Sequence, residues 1–174
     1  MKIIYLASFK ANHPGYDIVY QDINGQRDIG GDMLDIDLSP YDVIIATPPC
    51  NYYSKANIAS YKGTLKPDSY SMLTKHLLPG ILNKLSKIDK PFIIENVRSS
   101  KIDKIIEKTP PNVHVYQHGR HTYWTNFPFN PKGIKQKFDF EYGGRPVRDL
   151  SKNQRQGGKN VHDVIEYWLK VVLI

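Results

Sequence analysis

Cysteine is almost absent from this chain, which has only Cys50 among 174 residues. One thiol cannot form an internal disulfide, and it excludes zinc sites that need several thiolates, which fits a reducing compartment. No apolar run comes near the roughly 20 residues that span a bilayer, and the N-terminal MKIIYLAS becomes polar too early for a signal peptide. With 40% hydrophobic residues, we expect a soluble, cytoplasmic protein that folds as a single domain over residues 1–174.

Acidic side chains are scarce in the C-terminal part. Residues 98–174 carry fourteen Lys or Arg against seven Asp or Glu, whereas residues 1–97 carry ten of each, so the net charge of +7 lies entirely in the later segment. The stretch 143–160, GGRPVRDLSKNQRQGGKN, is typical of a polyanion-binding surface. A solvated basic surface has the same composition, so charge alone leaves both interpretations open.

Apolar runs and helical patterns alternate along the chain. Buried parallel strands are predicted at 2–8, 15–23, 41–48 and 90–97. A helix is predicted over 69–88, bent or split at Pro79-Gly80, with an apolar stripe of Leu73, Leu77, Leu78, Ile81, Leu82 and Leu85. Residues 99–108 predict a short helix, and a C-terminal helix is predicted from Val161, Val164, Ile165, Trp168, Leu169 and Val172. This order predicts an α/β fold with a mostly parallel, doubly wound sheet.

Two reactive side chains follow predicted strands. Cys50 comes after the apolar run at 43–45, and Glu95 lies at the end of the strand at 90–97. Because sites in such sheets lie at the carboxyl ends of the strands, the two groups can converge as a nucleophile and a proton donor or acceptor. Pro48-Pro49 would hold the thiol in place. A buried structural cysteine after an ordinary Pro-Pro turn is the alternative.

An ordered set of short motifs resembles the DNA cytosine-5 methyltransferases. DVIIATPPC at 42–50, followed by Ser54, is similar to that family's catalytic-loop motif, and IIENV at 93–97 is similar to its Glu-Asn-Val motif. Gly31-Asp32 resembles an upstream Gly-Asp element. RHTYWTNFP at 120–128 resembles the family's arginine-containing strand, and QGGKNV at 156–161 loosely resembles its final motif. The resemblance covers residues 31–161 and implies a Rossmann-like S-adenosylmethionine-dependent fold.

The resemblance implies three catalytic residues. Cys50 would add as a thiolate to cytosine C6, which activates C5 toward the methyl group of S-adenosylmethionine. Glu95 would hold the ring nitrogen N3 and the exocyclic amine, and Arg120 would stabilise negative charge near O2.

The resemblance also implies binding residues. The expected cofactor contacts are Asp22, Asp32, Pro48 and Asn160. The expected substrate contacts are Pro49, Tyr52, Ser54, Asn96, His121, Arg148 and Arg155. The target base would be flipped out of the duplex, with Tyr52, Tyr53 and Lys55 supporting the vacated stack. A turn or a helix cap is an equally good interpretation of each aspartate taken singly.

The chain departs from the family in several places. The family has a Phe-x-Gly-x-Gly turn after its first strand, whereas this chain has no glycine before Gly15. Alignment on Trp124 and Asn126 puts His121, and not Arg120, opposite one family arginine, and Asn160 sits one position late. Only about twenty residues, 127–147, stand where the family inserts a large recognition region. We therefore expect a short sequence preference, a homodimer or a separate recognition subunit, with the basic stretch contacting DNA phosphates.

Other functions stay open. A metal site at His114, His118 and His121 is disfavoured because no acidic ligand is near them in sequence, and His118 and His121 are expected on the same strand as Arg120. A catalytically silent relative that binds nucleic acid or protein is one alternative. A methyltransferase that acts on RNA or on nucleotides is another, and the biological role, such as restriction-modification or a phage or mobile element, is not given by the sequence.

Overall fold

Two units, Met1–Pro128 and Phe129–Ile174, make up the chain in a computed structural model. The structure describes residues 1–8, 12–54, 69–130, 134 and 150–174, with the backbone alone at 69–71 and 150–160. The first unit contains a sheet and three described helices, and the second contains one described helix.

Six strands form the sheet of the first unit. They are β1 (Ile3–Leu6), β2 (Ile18–Tyr20), β3 (Val43–Ala46), β4 (Phe92–Val97), β5 (His114–His118) and β6 (His121–Thr125). Their spatial order is β2-β1-β3-β4-β6-β5, with parallel pairing from β2 to β4. β1 and β3 are buried along their whole length, which is why their sequences are continuous apolar runs. The prediction of an α/β fold with a mostly parallel sheet is confirmed.

The sheet is mixed because it ends in a hairpin. β6 pairs antiparallel with both β4 and β5, and the turn between β5 and β6 contains Gly119 and Arg120. Gly119 has a φ of 57°, a left-handed conformation that glycine adopts without steric cost. The expectation that His118, Arg120 and His121 share one strand is therefore wrong. His118 ends β5, His121 begins β6, and Arg120 lies in the turn between them.

The first unit has three described helices, α1 (Ser69–Thr74), α2 (Leu77–Leu85) and α3 (Ser100–Ile106). Two of them, the second and the third, pack on one face of the sheet. The core on this face is formed by strand residues Ile4, Leu6, Ile44, Ala46, Phe92, Ile94 and Trp124 with helix residues Leu77, Leu78, Ile81, Leu82, Leu85 and Ile102. The opposite face carries Tyr5, Ile45, Ile93 and Tyr123, which are also buried. Burial on both faces fits the predicted placement of a parallel sheet inside the fold.

The predicted helix over 69–88 is split, but not where its sequence indicated. The break falls between α1 and α2 at residues 75–76, and Pro79 lies in the first turn of α2, where its missing N–H costs no helical hydrogen bond. Gly80 is closely approached by another side chain, since a Cβ there would lie 2.9 Å from Leu34 Cδ1 and the leucine would have to shift. Leu73 was predicted in the apolar stripe, but it is 69% exposed. It lies in α1, and because α1 and α2 are separate helices, the stripe of α2 does not continue to it.

The second unit contains α4 (Leu150–Val172). Four of its predicted stripe residues, Val164, Ile165, Trp168 and Leu169, are fully buried. Glu166 lies 3.3 Å from both the His162 Nε2 and the Lys170 Nζ atoms, one turn away on either side. No helix in the described part of the chain has both the length and the apolar character needed to cross a membrane.

Candidate active site at the carboxyl ends of the strands

The strand order defines where a ligand would bind. From β1 the chain moves outward to β2 and then returns to the other side of β1 to form β3. Open α/β sheets have a crevice at such a reversal, outside the carboxyl ends of the two diverging strands. Here the crevice lies between the segments that follow β1 and β3, and Cys50 is in the second of these.

Residues 47–54 carry the thiol, and we call them the thiol loop; hydrogen bonds to backbone carbonyls hold this loop in place. The Thr47 hydroxyl donates to the Ala7 carbonyl at 3.1 Å, which ties the loop to the end of β1. The Asn96 amide donates to the Pro48 carbonyl at 2.9 Å. Beyond Cys50 the chain turns, since the Cys50 carbonyl accepts hydrogen bonds from the backbone N–H groups of residues 53 and 54. Cys50 therefore sits at the apex of a loop fixed from two neighbouring strands.

The outer part of the thiol loop packs on the helices. Tyr53 is 4% exposed and its hydroxyl donates to the Lys75 carbonyl at 2.6 Å. Burial raises the pKa of Tyr53 to about 12, and Tyr52 adds to the rise. Lys101 Nζ donates to the Tyr52 carbonyl at 2.7 Å and lies 4.0 Å from the centre of the Tyr52 ring. Tyr53 is thus a core residue and not the support for a vacated base stack that its sequence position allowed, whereas Tyr52 remains at the half-buried rim.

A carboxylate and an imidazole meet next to the thiol loop. His121 Nδ1 lies 2.6 Å from Glu95 Oε1, and the two side chains are 17% and 11% exposed. The antiparallel register places Val97 opposite His121 and Tyr123 opposite Glu95, so Glu95 and His121 are diagonal neighbours on one face of the sheet. The pairing of these two residues follows from the register of β4 and β6.

Glu95 is the electrostatic centre of the site. Burial raises the pKa of the Cys50 thiol to about 11, and the negative charge of Glu95 adds to the rise. Burial also holds the pKa of Tyr123 well above its usual value, with contributions from Glu95 and Tyr5. The pKa of Tyr5 is raised far above its usual range by burial, against a lowering hydrogen bond from Thr47, and Glu95 again adds to the rise. The charge of one carboxylate therefore contributes to the raised pKa of the thiol and of two phenols.

The Asn96 side chain holds the thiol loop and its own strand through hydrogen bonds. It is 1% exposed, its amide nitrogen holds the Pro48 carbonyl, and its side-chain oxygen accepts the Val97 N–H at 2.9 Å. The side chain predicted to contact substrate thus makes its described hydrogen bonds within the protein. Pro49 and Ser54 are half-buried in the same loop.

Arg120 lies in the turn between β5 and β6, one residue before His121. It is exposed in the turn, and its carbonyl accepts the Arg98 N–H at 2.6 Å. The structure brings His121, the residue opposite one family arginine, to Glu95.

The two predicted cofactor aspartates lie in the segment between β2 and β3, Asp22 directly after β2 and Asp32 ten residues later. Asp22 is 8% exposed, and its Oδ1 accepts the N–H groups of Asn24 at 2.7 Å and Gln26 at 3.4 Å. Asp32 Oδ1 accepts the Leu34 N–H at 2.9 Å. Both carboxylates therefore shape turns, and each has a second oxygen with which a ligand hydroxyl or amine could bond.

Several predicted residues lie outside the described residues. Lys55 and Arg148 are not described, and for Arg155 and Asn160 only the backbone is described, within α4. Across the parts of the chain that the structure describes, no group of three or more His, Cys, Asp or Glu side chains is arranged to hold a metal.

Sequence reasoning missed the two tyrosines beside Glu95. Tyr123 is fully buried, and its hydroxyl forms no hydrogen bond with the described part of the chain. The signal was present, because Tyr123 and His121 are two residues apart and so share one face of β6. This signal predicts the contact with Glu95 only when the register between β4 and β6 is known.

The comparisons with known proteins add no family to this description. No protein-family model matches the chain, and no curated protein matches it.

Proposed function

We propose that the chain is a DNA (cytosine-5)-methyltransferase that transfers a methyl group from S-adenosylmethionine to cytosine C5. The observation that carries the proposal is that the thiol loop after β3 is bound to the neighbouring strand β4 beside Glu95, since the Asn96 amide donates to the Pro48 carbonyl at 2.9 Å. A thiol loop fixed by other elements and a buried carboxylate beside it are the groups that addition to C6 and bonding to N3 require.

S-adenosylmethionine would bind to the residues that follow β1 and β2, which offer carboxylates and an apolar side chain. Bound there, the cofactor would supply an electrophilic methyl group and a positive charge that favours the thiolate form of Cys50. Asp22 would accept a ribose hydroxyl, and Asp32 would accept the adenine amine. Ile23 is 64% exposed next to Asp22 and offers an apolar surface to a purine ring. The methionine end would lie near Ala7 and Ser8, at the carboxyl end of β1.

DNA is the proposed substrate because it presents cytosine on a negatively charged phosphate backbone. Residues 98–174 carry the whole excess of basic charge, which would bind these phosphates. The segment 127–147 is short for base readout, so we propose a short target sequence or recognition by a second subunit or a second copy of the chain.

Methylation of total DNA tests the proposal without knowledge of the target sequence. The protein is expressed in cells that lack cytosine methylation, and nucleosides from their DNA are measured by mass spectrometry. We expect 5-methylcytosine with the wild type and none with Cys50→Ala, since the alanine variant cannot form the covalent adduct. Lys87→Ala, at an exposed residue, serves as the matched control. Methylation by Cys50→Ala would exclude the covalent mechanism.

A catalytically silent nucleic-acid binder is the second candidate. It is favoured by the Cys50 pKa of about 11, because a thiol with this pKa is protonated in the free protein at neutral pH. This candidate predicts DNA binding by both wild type and Cys50→Ala with no 5-methylcytosine in either.

A further inference from the structure

The two edges of the sheet differ in what covers them. At the β2 edge, Tyr20 donates its N–H to Asp28 Oδ2 at 2.8 Å and accepts the Ile29 N–H at 3.1 Å. The Asp22 N–H donates to the Ile29 carbonyl at 3.0 Å. The segment after β2 therefore satisfies the outward backbone groups at the end of that strand and closes this edge.

The β5 edge has outward backbone groups at two residues. The Arg98 N–H donates to the Arg120 carbonyl, so the backbone groups of even-numbered residues along β6 face β4 and those of odd-numbered residues face β5. On β5 the partners of the odd-numbered residues are even-numbered. The N–H and carbonyl groups of Val115 and Gln117 thus point away from the sheet, and among the described residues they have no hydrogen-bond partner. Gln117 is exposed, so this edge is accessible.

The β5 strand lacks the features that keep an edge strand from pairing. Its sequence, HVYQH, contains no Lys, Arg, Asp, Glu or Pro, although the chain has 24 Lys or Arg. Its pairing with β6 runs through all five residues without a bulge. Charges, prolines and bulges are the usual protection of an edge. A second copy of the chain, which also has a net charge of +7, can therefore approach along β5 without setting lysines or arginines opposite each other.

We propose that β5 pairs antiparallel with β5 of a second copy of the chain, so that two six-stranded sheets become one continuous sheet. A strand that pairs with its own copy forms a two-fold symmetric contact, which closes as a dimer. The covered β2 edge offers no second strand for further growth at its end. The occupant of the β5 edge is thus the same edge of another molecule.

The two-fold axis sets the register of this contact. All five residues of β5 are paired when Tyr116 lies opposite Tyr116 of the second copy. Val115 then lies opposite Gln117 of the second copy, and each such pair exchanges both of its hydrogen bonds. Tyr116 forms the pair without hydrogen bonds, where side chains approach most closely and two aromatic rings stabilise the contact.

Substitution of Gln117 by proline tests the backbone contact. Gln117→Pro removes the outward N–H and leaves the bonds between β5 and β6 intact, because proline is tolerated at such edge positions. We expect the wild type to reach the mass of two chains in sedimentation equilibrium and Gln117→Pro to raise the dissociation constant of the dimer about tenfold or more. Gln117→Ala keeps the N–H and should stay within about threefold of the wild type. A wild type that is a monomer at every concentration overturns the proposal, as does a Gln117→Pro variant that dimerises like the wild type.

A cross-link tests the register and does not depend on a proline in the strand. In the Cys50→Ala background, Tyr116→Cys brings two thiols together at the axis, and mild oxidation should give a disulfide-linked dimer. Gln117→Cys is the matched control. Its thiols would be diagonal neighbours too far apart for a disulfide, so we expect its cross-linking to be slower by about tenfold or more. Equal rates in the two variants, or a faster rate in Gln117→Cys, overturn the register.

The dimer and the proposed methyl transfer fail separately. Sedimentation and cross-linking need neither S-adenosylmethionine nor DNA, so they report on β5 alone. If the wild type forms no 5-methylcytosine, the proposed function fails and the β5 contact stands on these two measurements. If 5-methylcytosine forms and the chain sediments as a monomer, the β5 contact fails and the proposed function stands.

Discussion

Ala7 is a single residue in an unfavourable conformation at the mouth of the crevice. Its φ is 53°, in the left-handed region where residues with a Cβ pay a steric cost of about 1 kcal/mol. The Gln21 side chain accepts its N–H at 2.8 Å, and its carbonyl accepts the Thr47 hydroxyl. These two bonds hold the strained backbone in place. The cytosine-5 methyltransferases that the motifs resemble have a glycine-containing turn after this strand.

Ala7→Gly should therefore stabilise the protein. We expect the free energy of unfolding to rise by up to about 0.5 kcal/mol, because glycine removes the steric cost of the positive φ while its larger entropy in the unfolded chain offsets about 0.5–1 kcal/mol of that gain. Urea unfolding at unchanged slope measures the difference. Ala46→Gly is the matched control in the buried strand β3, where the same substitution should destabilise. A drop in stability of Ala7→Gly would mean that its φ carries no strain.

At the scale of elements, Lys90 connects the start of β4 to the segment before β3. Its Nζ donates to the carbonyls of Leu38, Ser39 and Tyr41 at 2.9, 2.8 and 2.6 Å. Asn126, after β6, holds the same region from the other side, by donating to the Lys90 carbonyl at 2.9 Å. The segment that leads into β3, and through it to the thiol loop, is therefore held by the Lys90 ammonium group, whose own backbone is held by Asn126.

Lys90→Met should lose these bonds while keeping the length of the side chain. We expect a loss of about 1–3 kcal/mol in the free energy of unfolding, since three carbonyls lose a charged donor. Lys87→Met removes an exposed lysine on the same connection and should change stability by less than about 0.5 kcal/mol. Equal effects from the two substitutions, measured by thermal unfolding, would show that the three bonds contribute nothing.

The elements that the sequence predicts well are those whose signal is local. Strands β1, β3 and β4 follow from apolar runs, and α2 follows from its leucine spacing. The split before α2 was placed wrongly because proline is tolerated in a first turn. The contact of Glu95 with His121 could not be predicted, because it depends on the register between strands 26 residues apart in sequence. Cys50 and Glu95 were identified from their positions after or within strands, which is a local signal.

At the scale of the whole molecule, charge is divided unevenly along the chain. Residues 1–97 are neutral overall, with ten basic and ten acidic side chains, and the excess of basic charge follows them. If the chain binds DNA as proposed, the electrostatic contact should depend on the later segment and should weaken as salt is raised.

The double charge reversal Arg148→Glu with Arg155→Glu tests this contact. If both arginines bind phosphates, DNA affinity falls and the slope of log affinity against log salt becomes shallower by up to about 2. Lys87→Glu with Lys108→Glu makes the same change in net charge at two exposed lysines of the first unit and should leave the slope unchanged. Fluorescence anisotropy over a salt series gives both quantities. Identical slopes in the two double variants would exclude the stretch 143–160 as the phosphate contact.

The thiol loop is anchored mainly through its main chain. Asn96 holds the carbonyl of Pro48, Lys101 holds that of Tyr52, and the turn closes on the carbonyl of Cys50. Every amino acid carries a carbonyl, so substitutions at positions 49, 51 and 52 leave these anchors in place while changing the surface next to the thiol, whereas Thr47 and Tyr53 hold the loop through their own side chains. Sequence change at those three positions can therefore alter what the loop contacts without rebuilding its shape, provided that Thr47, Tyr53, Asn96 and Lys101 are kept.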